Sequence, residues 1–147
     1  MKLSTRTRYA ARALVELALQ PPQEAVGVSV VAHRQALSAK YLESVFAELR
    51  RAGLVRAVRG AQGGYLLARP AATITLREIF ELFEGRDGFV PCTTRPEACE
   101  RARACVTRDV WARLYDDSLS SLEGTTLADL AARDARRDQA NYPEYTI

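Results

Sequence analysis

The chain has 147 residues, of which 48% are hydrophobic and 27% charged. This length favours one domain with, at most, an appended dimerisation element. No apolar run is long enough to span a bilayer and no signal-peptide pattern is present, so we expect a cytoplasmic protein with no membrane partner.

The charge is distributed unevenly, although the net charge is only +3. Residues 1–70 contain 11 Lys/Arg and 4 Asp/Glu, whereas residues 71–147 contain 10 and 14. Nearly all the basic residues are arginine, which suits bidentate contacts to phosphate or guanine. The first half is therefore the half that we expect to bind a polyanion.

Two closely spaced helices are predicted in that half. Ser29 is predicted to cap a short helix, residues 36–38 read as a tight turn, and Ser38 caps a second helix that Gly53 ends. One face of the second helix is apolar at the spacing i, i+3, i+4, i+7: Leu42, Val45, Phe46 and Leu49. Two helices joined by so short a turn predict a helix-turn-helix, whose second helix can lie in the major groove of DNA.

A β-hairpin is predicted directly after this pair of helices. Residues 54–58 and 65–67 are β-prone runs on either side of a glycine-rich turn. Arg56 lies at the base of the hairpin, and Arg59 and Gly60 lie at its tip. A slim basic tip can approach phosphates or enter a minor groove, so we interpret the hairpin as a wing and predict binding to double-stranded DNA. The alternative is an ordinary pair of hairpins with solvated charges.

The next segment contains a helix and then an irregular loop. Thr75 and Glu78 form a capping-box pattern at the start of a helix that Gly85 ends. Residues 1–85 are therefore assigned to a winged helix-turn-helix domain. Residues 86–106 form a loop with the chain's three cysteines, spaced Cys-x6-Cys-x5-Cys. In a cytosolic chain such cysteines are buried, reactive or metal-bound rather than a disulfide framework.

Residues 107–132 are predicted to form a long helix and a terminal helix, followed by a polar tail at 133–147. Thr107 is predicted to cap the long helix, which runs to about Glu123 with a broad apolar stripe, and Trp111 and Leu119 are candidate interface residues. We interpret this helix as a dimer contact, and the alternative is a helix absorbed in the core of its own subunit. The predicted fold class is mainly α with a small β-hairpin wing, a winged helix-turn-helix plus a long C-terminal dimerisation helix.

No catalytic constellation is evident in the sequence. The single histidine, His33, has no adjacent nucleophile motif, and no glycine-rich phosphate loop follows a strand. The chain is therefore predicted not to be an enzyme.

Several segments resemble the Rrf2 family of bacterial winged-helix regulators, from Met1 to about Leu130. They are MKLSTRTRYAARALVELA, KYLESVFAELRRAGLVRAVRGAQGGYLLARP, the cysteine loop, and TTLADL. The resemblance implies a homodimeric transcription regulator on a pseudo-palindromic operator, with the recognition helix in the major groove and the wing in the minor groove. The matching DNA-binding positions are Lys40, Tyr41, Glu43 and Ser44 on the recognition helix, and Arg59 and Gly60 at the wing tip.

Many members of this family carry a 2Fe–2S or 4Fe–4S cluster on three cysteines of the same loop. By resemblance, Cys92, Cys99 and Cys105 are the candidate metal ligands, although their first interval is one residue longer than usual. The positions of the usual fourth ligand hold Arg8 and Arg108, and a guanidinium has no lone pair to offer iron. The remaining candidates for that ligand are a small molecule, His33 of the partner subunit, or one of Glu97, Glu100 and Asp109 of the same subunit. The alternative function is a cluster-free thiol- or ligand-sensing or protein-interaction regulator of the same fold.

Overall fold

The computed structural model describes residues 3–141 of the chain, and side chains for residues 3–137. Within that range six helices surround one two-stranded antiparallel hairpin. In chain order they are α1 Thr5–Ala18, α2 Val28–Gln35, α3 Ala39–Arg51, β1 Val55–Val58, β2 Gly64–Leu67, α4 Leu76–Glu84, α5 Arg108–Glu123 and α6 Leu127–Asn141. The predicted fold class is confirmed for the winged helix-turn-helix.

The predicted apolar stripe of α3 lies at the centre of the core. Its four residues, Leu42, Val45, Phe46 and Leu49, are all fully buried. They pack with the buried faces of α1 and α4, and the chain returns to the same core at the start of α6. There Leu127 is fully buried, and its amide donates to the carbonyl oxygen of Ile74 at 2.9 Å. The terminal helix is therefore part of the winged domain's core.

Most of the predicted helix boundaries are confirmed. The Ser38 hydroxyl accepts a hydrogen bond from the Tyr41 amide at 3.3 Å. At the start of α1 the Ser4 hydroxyl accepts the same kind of bond from the Thr7 amide, at 3.1 Å. Thr75 and Glu78 form a reciprocal capping box. Gly53 has φ +74° just after α3, the conformation that glycine adopts at least cost.

The prediction that Ser29 caps α2 was wrong. The helix begins at Val28, and Gly27 is its N-cap residue. The Gly27 carbonyl accepts from the amides of Val30 and Val31 at 3.0 and 3.2 Å. The N-cap is therefore two residues earlier than predicted, and the extended Gly27 starts the helix without a side-chain cap.

Two expectations about the C-terminal helices also need correction. Thr107 precedes α5 as predicted, but its side chain makes no capping hydrogen bond. The polar tail was predicted to begin at residue 133, whereas α6 continues to Asn141. The rest of that predicted tail, residues 142–147, lies outside the described residues. The described helices include none that is long and apolar enough to cross a membrane.

Candidate nucleic-acid interface and cysteine loop

The outward face of α3 presents three of the four predicted recognition-helix residues to solvent. Lys40, Glu43 and Ser44 are exposed, opposite the buried stripe. Lys40 can contact phosphate, and a carboxylate such as that of Glu43 can accept a hydrogen bond from cytosine N4. The helix therefore offers both charge and base-reading groups on one free face.

Tyr41, the fourth predicted residue, is half-buried and already engaged within the protein. Its ring meets the Tyr9 ring of α1 edge to face, with centroids 5.8 Å apart. Its backbone carbonyl accepts from the Ser44 hydroxyl at 2.8 Å. Tyr41 is thus placed to orient the recognition helix against α1 rather than to extend freely into a groove.

The wing presents its predicted residues as an exposed basic edge. Arg56 lies on β1 opposite Leu66, and Arg59 and Gly60 lie in the turn; all three wing residues are exposed. Among the described side chains, neither arginine forms an ion pair. Two unpaired guanidinium groups on a narrow hairpin are suited to phosphate contacts.

The wing is attached to the recognition helix through Tyr65. The Tyr65 ring stacks on Phe46 of α3, with centroids 4.6 Å apart and planes 20° apart. Its backbone pairs with Val26, at 3.0 and 2.9 Å, so that the segment before α2 lies against β2. At Gly64 an added Cβ would lie 2.3 Å from the Val26 carbonyl oxygen. Val26 is a positioning residue that the sequence analysis missed, because a lone bridge leaves no periodic pattern.

A second missed element is a polar network that locks α2 onto α1. The Arg12 Nε donates to the Gln35 Oε1 at 2.8 Å, and the Gln35 amide donates to the carboxylate of Glu16. Glu16 is 8% exposed and also faces Arg34 at 3.5 Å. A buried carboxylate needs such partners, and here they fix the orientation of the helix-turn-helix.

The three cysteines lie in a loop with two short 3-10 turns, Pro91–Thr93 and Pro96–Ala98. Cys92 and Cys105 are half-buried, whereas Cys99 is exposed, and all three are free thiols. In the part of the chain that the structure describes, no group of three or more His, Cys, Asp and Glu side chains could hold a metal ion. The structure therefore does not bring the predicted ligands together, nor does it add one of the candidate fourth ligands to them.

The last cysteine of the loop lies just before the N-terminus of α5. Its Sγ is 3.3 Å from the Thr107 Oγ1. Hydrogen bonds from the Thr107 hydroxyl and then from the Thr107 and Arg108 amides lower the pKa of the Cys105 thiol below its usual 9.0. The Thr107 side chain thus faces the sulfur instead of capping the helix.

By the family resemblance, position 108 holds a cluster ligand in some members, and in this chain it is Arg108. Its Nε donates to the Cys92 carbonyl oxygen at 2.8 Å and its Nη2 to the Thr93 carbonyl oxygen at 3.4 Å. Thiolates are the right donors for an iron–sulfur cluster, but three of them that do not converge, beside an arginine, do not complete a four-ligand site. As arranged here, the residues do not fit a four-ligand cluster.

Comparisons with known proteins agree with this architecture. Residues 3–133 match the family model described as "Rrf2: Iron-dependent Transcriptional regulator". The protein rrf2 of Nitratidesulfovibrio vulgaris is 37% identical over 135 residues, 92% of this chain and 89% of that protein.

Two solved structures share both the fold and a substantial part of the sequence. CymR, the global cysteine regulator of B. subtilis, has a TM-score of 0.76 and 35% identity over 90% of this chain and 98% of that one. T. potens IscR has a TM-score of 0.75 and 36% identity, over 95% of this chain and 91% of that one. The chain therefore belongs to the Rrf2 family of winged-helix transcription regulators, which bind DNA and are not enzymes.

Proposed function

We propose that the chain acts as a homodimer that binds a pseudo-palindromic operator and whose DNA affinity is set by the state of its cysteine loop. The observation that supports this most directly is the exposure of polar side chains on both α3 and the wing. They are the basic residues Lys40, Arg56 and Arg59 and the base-reading candidates Glu43 and Ser44. In this arrangement α3 enters the major groove, and the tip at Arg59 and Gly60 follows the neighbouring minor groove.

The proposed dimer contact is the exposed part of α5. Val110, Trp111 and Leu114 are 58%, 41% and 44% exposed, an apolar patch that a subunit in isolation leaves in water. One turn after Trp111, at the edge of this patch, Tyr115 is buried and packs edge to face against Phe89, with centroids 5.2 Å apart. The helix is thus anchored in its own subunit and still exposes an apolar patch. Pairing of this patch with the same patch of a second subunit holds the two recognition helices about 34 Å apart on DNA.

The predicted signal of the loop is an iron–sulfur cluster, 2Fe–2S or 4Fe–4S, on Cys92, Cys99 and Cys105. Its support is the resemblance and the thiolate chemistry of the three side chains. When bound, such a group would supply a redox- or ligand-sensitive centre between the winged domain and α5. This prediction requires a different loop conformation from the one described.

A cluster-free thiol sensor is the second candidate, and the described geometry favours it. The lowered pKa of Cys105 enlarges its thiolate fraction, and the thiolate is the form that electrophiles and oxidants attack. Cys105 lies three residues before the first residue of α5, so a group attached to its sulfur would displace the Thr107 hydroxyl from the start of the proposed dimer helix.

DNA binding is tested by mobility shift on duplexes that the chain itself selects from a random library, over a range of salt concentrations. Arg59→Ala should weaken binding roughly tenfold and reduce the salt slope by about one per chain, because one phosphate contact is lost. Glu43→Ala is the matched control: it should change sequence preference and leave the salt slope in place. Unchanged affinity and slope in Arg59→Ala would contradict the proposed insertion of the wing.

A further inference from the structure

Arg108 is the first residue of α5, and its side chain reaches back to the start of the cysteine loop. Its two hydrogen bonds, to the carbonyl oxygens of Cys92 and Thr93, are 2.8 and 3.4 Å long. Arg108 is half-buried, and among the described side chains no carboxylate pairs with it. The guanidinium therefore directs its charge to backbone oxygens of the loop, where such hydrogen bonds are strong.

The first part of the loop, residues 87–95, is held by hydrogen bonds within the loop itself. The Thr94 hydroxyl donates to the Asp87 carbonyl oxygen at 2.8 Å, and the Thr93 hydroxyl donates to the Val90 carbonyl oxygen at 2.7 Å. The Arg95 amide donates to the Pro91 carbonyl oxygen at 2.9 Å. These bonds satisfy three backbone carbonyl oxygens and one backbone amide of the loop without a metal.

The bonds of Arg108 connect the segment that bears Cys92 to the helix that begins three residues after Cys105. A cluster would impose the same connection through the two sulfurs, but it would need Cys99 to join them. Because a guanidinium stays protonated and has no lone pair, Arg108 can hold this connection but cannot ligate iron. The arginine and the cluster are therefore alternative ways to close the same loop.

We infer that Arg108 is a positioning residue that closes the three-cysteine loop without metal, so that Cys92, Cys99 and Cys105 stay free thiols instead of forming a cluster site. The inference rests on the proposed function of the cysteine loop and specifies its metal-free form. In this form the thiols of the loop are the groups that react with the signal, and Arg108 sets how accessible the Cys92 thiol is.

The first test is anaerobic reconstitution of the full chain with ferrous iron and sulfide, followed by visible spectra and iron and sulfide assays. The wild type should take up no more iron and sulfide per chain, and show no more charge-transfer absorption, than a variant with Cys92→Ala, Cys99→Ala and Cys105→Ala. A full cluster in the wild type that this cysteine variant lacks would overturn the inference.

The second test uses metal-free protein with chelator present and measures iodoacetamide labelling at each cysteine by mass spectrometry. Arg108→Ala should raise the labelling rate of Cys92 roughly tenfold, because loss of two charge-assisted bonds increases local opening. Cys99 is exposed in the closed loop and should keep its rate, and Arg108→Lys should recover part of the protection. An unchanged Cys92 rate in Arg108→Ala, in protein with a normal melting transition, would overturn the inference.

The same proteins separate this inference from the proposed function. Metal-free wild type should bind the selected operator, as should metal-free Arg108→Lys. If the loop tests fail while DNA binding persists, only the role of Arg108 is lost. If the loop tests succeed and neither protein binds DNA, the proposed operator binding is lost and the role of Arg108 stands.

Discussion

The carboxylate of Glu84 accepts a hydrogen bond from the backbone amide of Ser4 at 2.9 Å, and the Thr7 hydroxyl donates to the same oxygen. The end of α4 thereby supports the first turn of α1, where amides have no partner within the helix. A negative charge at a helix N-terminus is also favourable. This contact joins the two helices from opposite ends of the winged domain's sequence.

We expect Glu84→Gln to lower the free energy of unfolding by about 1–2 kcal/mol at pH 7, because the amide oxygen can still accept these hydrogen bonds but without the charge that strengthens them. Burial would raise the pKa of Glu84, but the hydrogen bonds from Thr7 and Ser4 outweigh it and lower the pKa below 4.5. A depressed native pKa contributes stability above the unfolded value, and this is lost as the pH falls through the native pKa.

Urea denaturation at pH 7 and at several values below 4.5 checks this prediction. The difference between wild type and Glu84→Gln should shrink as the pH falls. Glu123→Gln is the control, because that side chain is 56% exposed and its ion pair with Arg77 is long, at 3.9 Å. A difference that is constant with pH would contradict the assigned role of the charge.

The wing should depend on the absence of a side chain at Gly64. This residue has φ +152°, and a Cβ would lie 2.3 Å from the Val26 carbonyl oxygen, so we expect Gly64→Ala to cost about 2–4 kcal/mol. Gly53→Ala is a matched control with positive φ but no atom within 4 Å, and it should cost about 1–2 kcal/mol. Thermal melts and operator binding measure both, and equal effects would show that the contact with Val26 is unimportant.

The proposed dimer is tested by a charge in the exposed apolar patch of α5. Leu114→Glu should weaken the dimer at least about a hundredfold, because the carboxylate would be buried unpaired at the interface. Sedimentation at micromolar concentration should then show a monomer, while the dimer persists in the adjacent exposed control Arg113→Ala. A wild-type chain that sediments as a monomer would remove this contact from the proposed function.

The hydroxyl of Thr107 should control the reactivity of Cys105. Because its hydrogen bond is the largest cause of the lowered thiol pKa, Thr107→Val should move the labelling profile of Cys105 to higher pH. Site-resolved alkylation from pH 6 to 10 measures the shift. The control Thr107→Ser keeps the hydroxyl and should retain the wild-type profile. A valine variant with an unmoved profile would assign the lowered pKa to the backbone amides alone.

The helical part of the fold was predictable from local sequence. The spacing of Leu42, Val45, Phe46 and Leu49 defines a buried helical face, and all four are buried. The caps at Ser38 and Gly53 follow from side-chain hydrogen bonding and from the cost of positive φ, which are properties of a few adjacent residues. The wing followed from two β-prone runs around a glycine-rich turn.

Contacts between distant segments were decided only by the tertiary structure. The pairing of Val26 with Tyr65 and the bonds from Ser4 and Thr7 to Glu84 join residues far apart in the chain, and no local pattern encodes them. The extent of α6 was also not predicted, since its later residues are polar and resemble a tail. The helix is anchored in the core at its start, where Leu127 is fully buried.

The cysteine loop shows the same division between sequence and structure. The sequence grouped Cys92, Cys99 and Cys105 in one loop, and the family resemblance together with the chemistry of arginine indicated that position 108 offers no ligand. Where the side chain of Arg108 goes depends on how the loop folds back on α5, because a long flexible side chain takes whichever acceptors the surrounding backbone presents. Residue types thus determined which chemistry the loop excludes at position 108, and the packing of the loop against α5 decided that Arg108 bonds the carbonyl oxygens of Cys92 and Thr93.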